Sequence, residues 1–310
     1  MKKMLLTGSN GFVGNYFVDK YSSKYEIQKF SFLHDDFNLL DLKMVNVVFH
    51  LSALVHQMGG ASADEYERVN VTQTLDLATK AKASGVRHFI FMSTVKVYGE
   101  ETNVGLLRSA RNDSYTENSV CHPEDEYGKS KLRAENKLLE LETNDFKISI
   151  IRTPIIYGYG AKANIKNLIS LVQKVPILPF GGIKNKRSMV YVGNLCHLVD
   201  EVIGFRIKYA MTEDSYRELD SGSRNIFLAS DDEPLSTTRL VELIAKELNK
   251  KVYLIKMPFF ETILKLLKPS FYKRLYGSLE VDSRITKVKL NLKNTYSVEY
   301  GIKFMIHGEK

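Results

Sequence analysis

The sequence predicts an α/β fold in which a doubly wound parallel sheet carries a smaller C-terminal α/β lobe. Three observations predict it. An apolar run at residues 3–7 passes straight into a glycine-rich turn and an amphipathic segment. Strand-like apolar runs then alternate with helical patterns as far as residue 152. Beyond Pro154 the composition shifts to short helices interrupted by Gly158, Gly160, Pro176, Pro179, Gly181 and Gly182. Strands separated by helices make a parallel sheet covered on both faces. The expected division gives residues 1–156, with about 189–230 returning, to the sheet domain, and residues 157–188 and 231–310 to the second lobe.

The first strand ends at Thr7, and Gly8-Ser9-Asn10-Gly11-Phe12-Val13-Gly14 follows before a helix carrying Phe17 and Val18. Strand, glycine turn and helix in that order form the entry of a Rossmann-type dinucleotide site. The glycines permit the turn and a close backbone approach, and the helix N-terminus faces a pyrophosphate. Gly8, Asn10, Gly11, Phe12, Val13 and Gly14 are therefore candidate cofactor-binding residues. Residues 26–32 read as the second strand. A carboxylate at its end would hold the ribose 2′-hydroxyl of NAD, but that place falls on Ser31. With no carboxylate to repel a 2′-phosphate, NADP(H) is favoured over NAD(H), with Lys29 or His34 as cationic neighbours. Asn38 and Leu39 lead toward a continuous apolar strand at 45–51, so the helix expected in this region has shrunk to almost nothing.

A glycine-bearing loop at Gly59-Gly60 precedes a long helical pattern over 64–84, with Val69, Leu75, Ala78 and Ala81 near helical spacing, and Gly85 stops it. The stretch HFIFMSTVKVYG at 88–99 is the one around which the chain is organised. A buried strand here ends in Ser93, Thr94, Tyr98 and Gly99 and so delivers hydroxyls to a crevice. After a polar loop over 100–126, Tyr127 is followed four places on by Lys131, which on a helix puts phenol and ammonium on one face. Hydroxyl, phenol and ammonium together point to proton transfer. A free tyrosine has a pKa of about 10, so the Lys131 ammonium and the nicotinamide charge are expected to lower it. A strand at 148–152 follows. In the second lobe residues 238–248 read as a helix, and the apolar, basic residues 259–268 as a packed helix in preference to a membrane-surface element.

At 310 residues and 44% hydrophobic, the chain can bury a large core. The net charge of +8 suits an anionic ligand, yet the lysines are scattered. No arginine-aromatic alternation or zinc spacing argues for nucleic acid, so a small phosphorylated ligand is the expected partner. No stretch approaches the roughly 20 apolar residues of a membrane span, and the apolar run after Lys2-Lys3 is too short for a secretory signal. Cys121 and Cys196 lie far apart without metal-ligand spacing, which favours reduced thiols in a cytoplasmic protein and gives no metal site.

The ordered set TGSNGFVG, HLSA, STVKVYG, YGKSK and IRTPIIYG resembles the extended short-chain dehydrogenases/reductases, the family of nucleotide-sugar epimerases, dehydratases and reductases. The likeness covers nearly the whole chain. Order singles out Tyr127 and Lys131 from the same spacing at Tyr16 with Lys20 and Tyr25 with Lys29, which fall in the first helix and second strand. Within the family, Ala53-Leu-Val-His-Gln-Met58, residues 94–100, Gly160-Ala-Lys-Ala-Asn164, Leu178-Pro-Phe-Gly-Gly-Ile-Lys-Asn-Lys-Arg-Ser188 and Arg274-Leu-Tyr-Gly-Ser-Leu279 look like the 4-keto reductases that make UDP-N-acetylquinovosamine or related 6-deoxy sugars.

The resemblance implies that Tyr127 donates the proton, that Lys131 also bonds the nicotinamide ribose, and that Thr94 aligns the sugar O4, with Ser93 as its substitute. It implies further cofactor contacts from Ser31, Asn38, Leu39, Leu51, Ser52, Ala53 and Pro154. Family dehydratases carry an Asp-Glu pair where this chain has Val95 and Lys96, so a 4,6-dehydratase is not expected; Lys96 is placed beside the substrate. Arg187 offers a planar fork to the diphosphate, with Arg274 as a second phosphate contact. Asn164 would meet diphosphate or base, and Phe180 would stack on the pyrimidine. Plain structural readings remain beside these: a solvated charge at Arg187, a helix N-cap at Asn164, a core ring at Phe180. The implied reaction is NAD(P)H-dependent reduction of the C4 ketone of a UDP- or dTDP-linked 4-keto-6-deoxyhexose for a surface polysaccharide such as O-antigen. A nucleotide-sugar 4-epimerase, which would use every one of the same residues, is the alternative. A non-catalytic NADP-binding redox sensor is more remote, because it predicts a damaged triad. Relatives also imply a homodimer through the helices near 64–84 and 127–142. The segment 209–224 is longer and more polar than relatives have.

Overall fold

The computed structural model describes residues 1–55, 61–102, 114–161, 164–209 and 225–309. The polar segment 210–224, His56 and the Gly59-Gly60 loop lie outside the described residues.

Chain order explains the sheet. β1 (Lys2–Thr7) leads through α1 (Phe12–Tyr21) to β2 (Tyr25–Phe30) on one side, and β3 (Val47–His50) returns to the other side of β1. In place of a full crossover helix there is only a 3₁₀ turn at Phe37–Leu39, as the short interval between the runs predicts. α2 (Ala63–Tyr66) runs through a π-helical segment, Glu67–Thr72, into α3 (Gln73–Ala83), and Gly85 ends the run at φ +79°. β4 (His88–Thr94), α4 (Glu126–Glu140) and β5 (Lys147–Thr153) follow. Beyond lie β6 (Ile155–Tyr157), α5 (Asn164–Lys174), β7 (Ile177–Leu178), β8 (Met189–Tyr191), α6 (Val192–Tyr209) and β9 (Ile226–Leu228). The chain closes with α7 (Thr237–Glu247), β10 (Tyr253–Leu254), α8 (Phe260–Leu267), α9 (Pro269–Tyr276), α10 (Arg284–Leu290) and α11 (Val298–His307).

The six-stranded parallel sheet runs β2-β1-β3-β4-β5-β9, beside the two-stranded parallel pairs β10-β7 and β6-β8. The α/β doubly wound fold is thus borne out. Period-two alternation divides the core: Met4 and Leu6 of β1 pack with Phe17 of α1 and Leu195 of α6, while Leu5 packs with Leu77 of α3 and Leu138 of α4. Because both faces are covered, β4 is buried along its whole length. The order in which strands are added reverses here, β2 lying on one side of β1 and β3 on the other, and the parallel β1 and β3 end level, Thr7 opposite His50. Ligands bind at such a switch point, outside the carboxyl ends of the strands.

In the second lobe the expected helix over 259–268 forms and is packed in part: Leu264 is buried and Phe260 half-buried against the core, while Ile263, Leu266 and Leu267 stay in solvent.

Candidate active site

The glycine turn is built for close approach. Gly8 sits at φ +69°, and a Cβ there would lie 3.0 Å from Leu51 C and Ser52 N at the end of β3. A Cβ at Gly14 would fall 2.3 Å from the Gly8 carbonyl oxygen, so only glycine lets α1 begin this near the loop. Gly11 caps α1 with no side-chain hydrogen bond, and no acidic residue stands in its first turn. The N–H groups at that end are left to an anion. Residues 8–14 therefore fit the pyrophosphate of a dinucleotide, with Leu51 and Ser52 across the turn from it.

A buried hydrogen-bond chain fixes the same edge. Leu51 N–H and Ser52 N–H donate to Thr7 Oγ1 at 3.1 and 3.2 Å, so the Thr7 hydroxyl donates to His50 Nδ1 at 2.8 Å. The ring proton then lies on Nε2, which donates to Thr74 Oγ1 at 3.0 Å, and Thr74 donates to Asn70 O at 2.8 Å. Burial, helped by the Lys131 charge, pushes His50 down to about 3. His50 is thus a neutral strut between strands and helix, and has no acid-base task.

Thr94 ends β4, and its Oγ1 accepts the Lys96 N–H at 3.3 Å. Opposite, Asp125 N-caps α4 by accepting the Gly128 N–H at 2.7 Å, which places Tyr127 in the first turn, half-buried beside Thr94. A Cβ at Gly128 would meet Lys96 O at 2.9 Å, so glycine lets α4 lie against the turn that follows β4. Lys131, on the inner face of α4, donates to Met92 O at 2.8 Å and sits 4.3 Å from the Phe91 ring centroid. Burial pushes its ammonium down to about 7, against the raising pull of Glu135 one turn on. Tyr127 is pushed up from the ordinary tyrosine value, first by burial and then by Asp125 and Tyr66. The expected lowering of Tyr127 is therefore not produced by the chain's own groups, because Lys131 is spent on a backbone carbonyl and burial dominates both residues.

Behind these residues lies a buried polar cluster that sequence spacing does not reveal. Arg152, 4% exposed, donates from Nη2 to Glu135 Oε2 at 2.6 Å and from Nε to both Glu135 oxygens at 3.2 Å; Glu135 is 1% exposed. Arg152 Nη1 also donates to the Tyr98 hydroxyl at 2.7 Å, and Ser93 Oγ donates to Glu135. Ser93 is thereby committed, leaving Thr94 as the strand-end hydroxyl that faces the pocket. Asn70, in the π-helical segment, donates to Leu54 O and to Ser130 Oγ, both at 3.0 Å, and Ser130 donates to Tyr127 O at 2.8 Å. A π-segment re-aims one side chain of a long helix, and here it ties the β3 loop to the helix of Tyr127.

Thr94, Lys96, Tyr127, Pro154, Arg187 and Arg274 all line one cavity of about 440 Å³, bounded on its far side by α9. Arg187 Nη1 donates to Gly277 O at 3.0 Å and Lys273 O at 3.3 Å, which anchors the guanidinium to the end of α9. Burial pulls its pKa down, Glu100 and Glu101 oppose that, and nearby Arg274 adds to it. An anion placed between the two guanidiniums would relieve this. Lys96 reaches the cavity with its ammonium held at 2.6 Å by both Glu100 and Asp125. One sequence candidate is elsewhere. Phe180, 4% exposed, lies in the core and is not among the residues lining the cavity, so the stacking expected of it is not supported; the ring just before the Gly181-Gly182 turn packs inward. Asn164 begins α5, but its side chain lies outside the described residues. The other Tyr-x-x-x-Lys pairs are structural: Tyr16 donates to Glu309 at 2.7 Å and Tyr25 to Asp200 at 2.6 Å.

Residues 4–206 match the family model for the NAD dependent epimerase/dehydratase family. The chain belongs to that family. Among curated members, UDP-glucose 4-epimerase of Vibrio cholerae is 35% identical over 97% of this chain and 94% of its own length. The fold also matches UDP-glucuronic acid 4-epimerase of Bacillus cereus in complex with NAD, at TM-score 0.72 and 18% identity over 99% and 98% of the two chains. RMD of Pseudomonas aeruginosa, complexed with NADPH, matches at TM-score 0.73 and 16% identity over 99% of both chains.

The end of β2 carries a feature that sequence position alone does not show. Ser31 lies just past β2, and no acid stands there in sequence, but Asp35 folds back so that its carboxylate accepts the Ser31 N–H at 2.8 Å. Asp36 accepts the Asn38 N–H at 2.9 Å in the turn that follows, where Leu39 is exposed. A carboxylate therefore does stand at the end of β2, supplied from four residues downstream. Among the described residues, His197, Asp200 and Glu201 are close enough to share a cation, but Asp200 is already bonded by Lys24 and Tyr25.

Proposed function

We propose that the chain is a 4-epimerase acting on a nucleotide-diphosphate hexose with retained NAD(H). The observation that carries this reading is the full-length likeness to the Vibrio cholerae UDP-glucose 4-epimerase. A cavity in which Thr94 and Tyr127 face a wall of Arg187, Lys273 and Arg274 supports it. The 4-keto reductase first expected from sequence is the second reading. It uses the same residues, and what separates the two is whether a ketone at C4 turns before hydride returns or is reduced from one face only.

When bound, the nicotinamide supplies the hydride acceptor and donor for C4. Tyr127 takes the proton of the C4 hydroxyl and later returns it, and Thr94 holds O4 in line. Lys131, held on Met92 O, would favour the Tyr127 phenolate only together with the nicotinamide charge of the bound cofactor, since the chain's own groups leave Tyr127 raised. Arg187, Lys273 and Arg274 bind the diphosphate. Residues 1–156 with 189–230 carry the cofactor, the remainder carries the sugar nucleotide, and α2 to α4 form the homodimer face.

The cofactor preference follows from Asp35. Its carboxylate would accept from a ribose 2′-hydroxyl and repel a 2′-phosphate, which favours NAD(H) and reverses the preference drawn from Ser31 alone. Asp35→Asn is expected to tighten NADP⁺ binding at least about tenfold relative to NAD⁺, the effect of removing one close like-charge contact. Calorimetric titration with the two dinucleotides checks this; an unchanged ratio would remove Asp35 from the account.

A further inference from the structure

Outside the cavity, the least satisfied surface among the described residues is the outer face of α8 and its flanks. Phe259, Ile263, Leu266 and Leu267 are 79%, 51%, 80% and 72% exposed, and their spacing puts them on one side of a helix. Met257 before them and Phe271 after them are also exposed. Phe259 is held at φ +61°, a conformation rare for a bulky residue, with its ring largely in solvent. Contiguous apolar surface of this kind marks an interaction site. Charge identifies the partner: from Lys250 to Lys268 the chain carries five lysines and one acid, Glu261. The exposed Lys265 and Lys268 flank the apolar face.

We propose that this face docks on an anionic phospholipid bilayer, its apolar side chains in the interfacial layer and its lysines among the headgroups. A second copy of the chain fits the face poorly, since a two-fold contact would set this positive surface against itself. The contact is peripheral, because no described helix is long and apolar enough to cross a membrane. It is also continuous with the cavity wall: Pro269 and Ser270, which line the cavity, directly follow Leu266, Leu267 and Lys268. Docking would therefore bring the edge of the cavity to the headgroup layer.

Co-sedimentation of the full chain with vesicles of phosphatidylcholine alone, or of phosphatidylcholine with phosphatidylglycerol, tests this. Binding is expected to the anionic vesicles, weakened by salt, and reduced at least about tenfold in L266E/L267E and in K265Q/K268Q. The first pair is already in solvent, so its circular dichroism and its turnover of a soluble substrate are expected to be unchanged. The charge pair tests the same face without altering its apolar residues. No binding to anionic vesicles, or binding that neither variant pair weakens, would overturn the proposal. So would sedimentation equilibrium showing an oligomer that L266E/L267E splits, since a second copy would then be the occupant.

Discussion

Tyr127→Phe is expected to lower kcat by about a hundred- to ten-thousand-fold, the range a positioned acid-base group contributes, while leaving dinucleotide affinity unchanged. The two effects separate because the phenol makes no hydrogen bond among the described residues, whereas the helix that carries it is held independently. Asp125 caps α4, Asn70 and Ser130 tie down its first turns, and Glu135 anchors its middle to Arg152. The glycine turn that would hold the pyrophosphate lies on other elements entirely. Progress curves with the variant, alongside titration of its nicotinamide cofactor, check the expectation. Turnover within a few-fold of the parent would remove Tyr127 from the proton transfer.

The second large effect is structural. Glu135→Leu would leave the buried Arg152 guanidinium without its carboxylate partner, and would strip Ser93 of its acceptor. Removing one partner of a buried pair costs about 3–5 kcal/mol, a large share of the 5–15 kcal/mol that holds a typical protein folded. Replacing both, as Glu135→Leu with Arg152→Met, is expected to recover most of that loss, because an apolar pair of similar volume leaves no orphaned charge. Urea unfolding midpoints of the two single variants and the double variant test this. A double variant as unstable as the sum of the singles would show that the cost lies in packing and not in the ion pair.

How much of this was legible depends on how local each signal is. The glycine turn, the hydroxyls ending β4 and the Tyr127–Lys131 spacing are each contained within one element and its cap, and the structure brings them to the expected strand ends. What escaped the sequence depends on tertiary contact. Glu135 and Arg152 are distant in sequence and each reads alone as a surface charge, yet β5 and α4 bury them together. Asp35 reads as part of a polar turn until the chain folds it back on Ser31. Phe180 carries no periodicity that would tell a stacking ring from a core ring. The apolar residues of α8 read as a packed stripe because amphipathic spacing does not say whether anything covers the apolar side. The reaction itself has no residue signature, since epimerase and reductase differ in a rotation of the bound ketone.

The most direct test of the central claim is to incubate the purified protein with UDP-glucose, or its 2-acetamido counterpart, and follow product configuration by NMR together with nicotinamide absorbance. The account predicts interconversion at C4 with no net change in absorbance and no added cofactor. A stoichiometric fall in absorbance with a 4-keto-6-deoxyhexose and added NADH or NADPH, without any interconversion of the hexoses, would contradict it and restore the reductase.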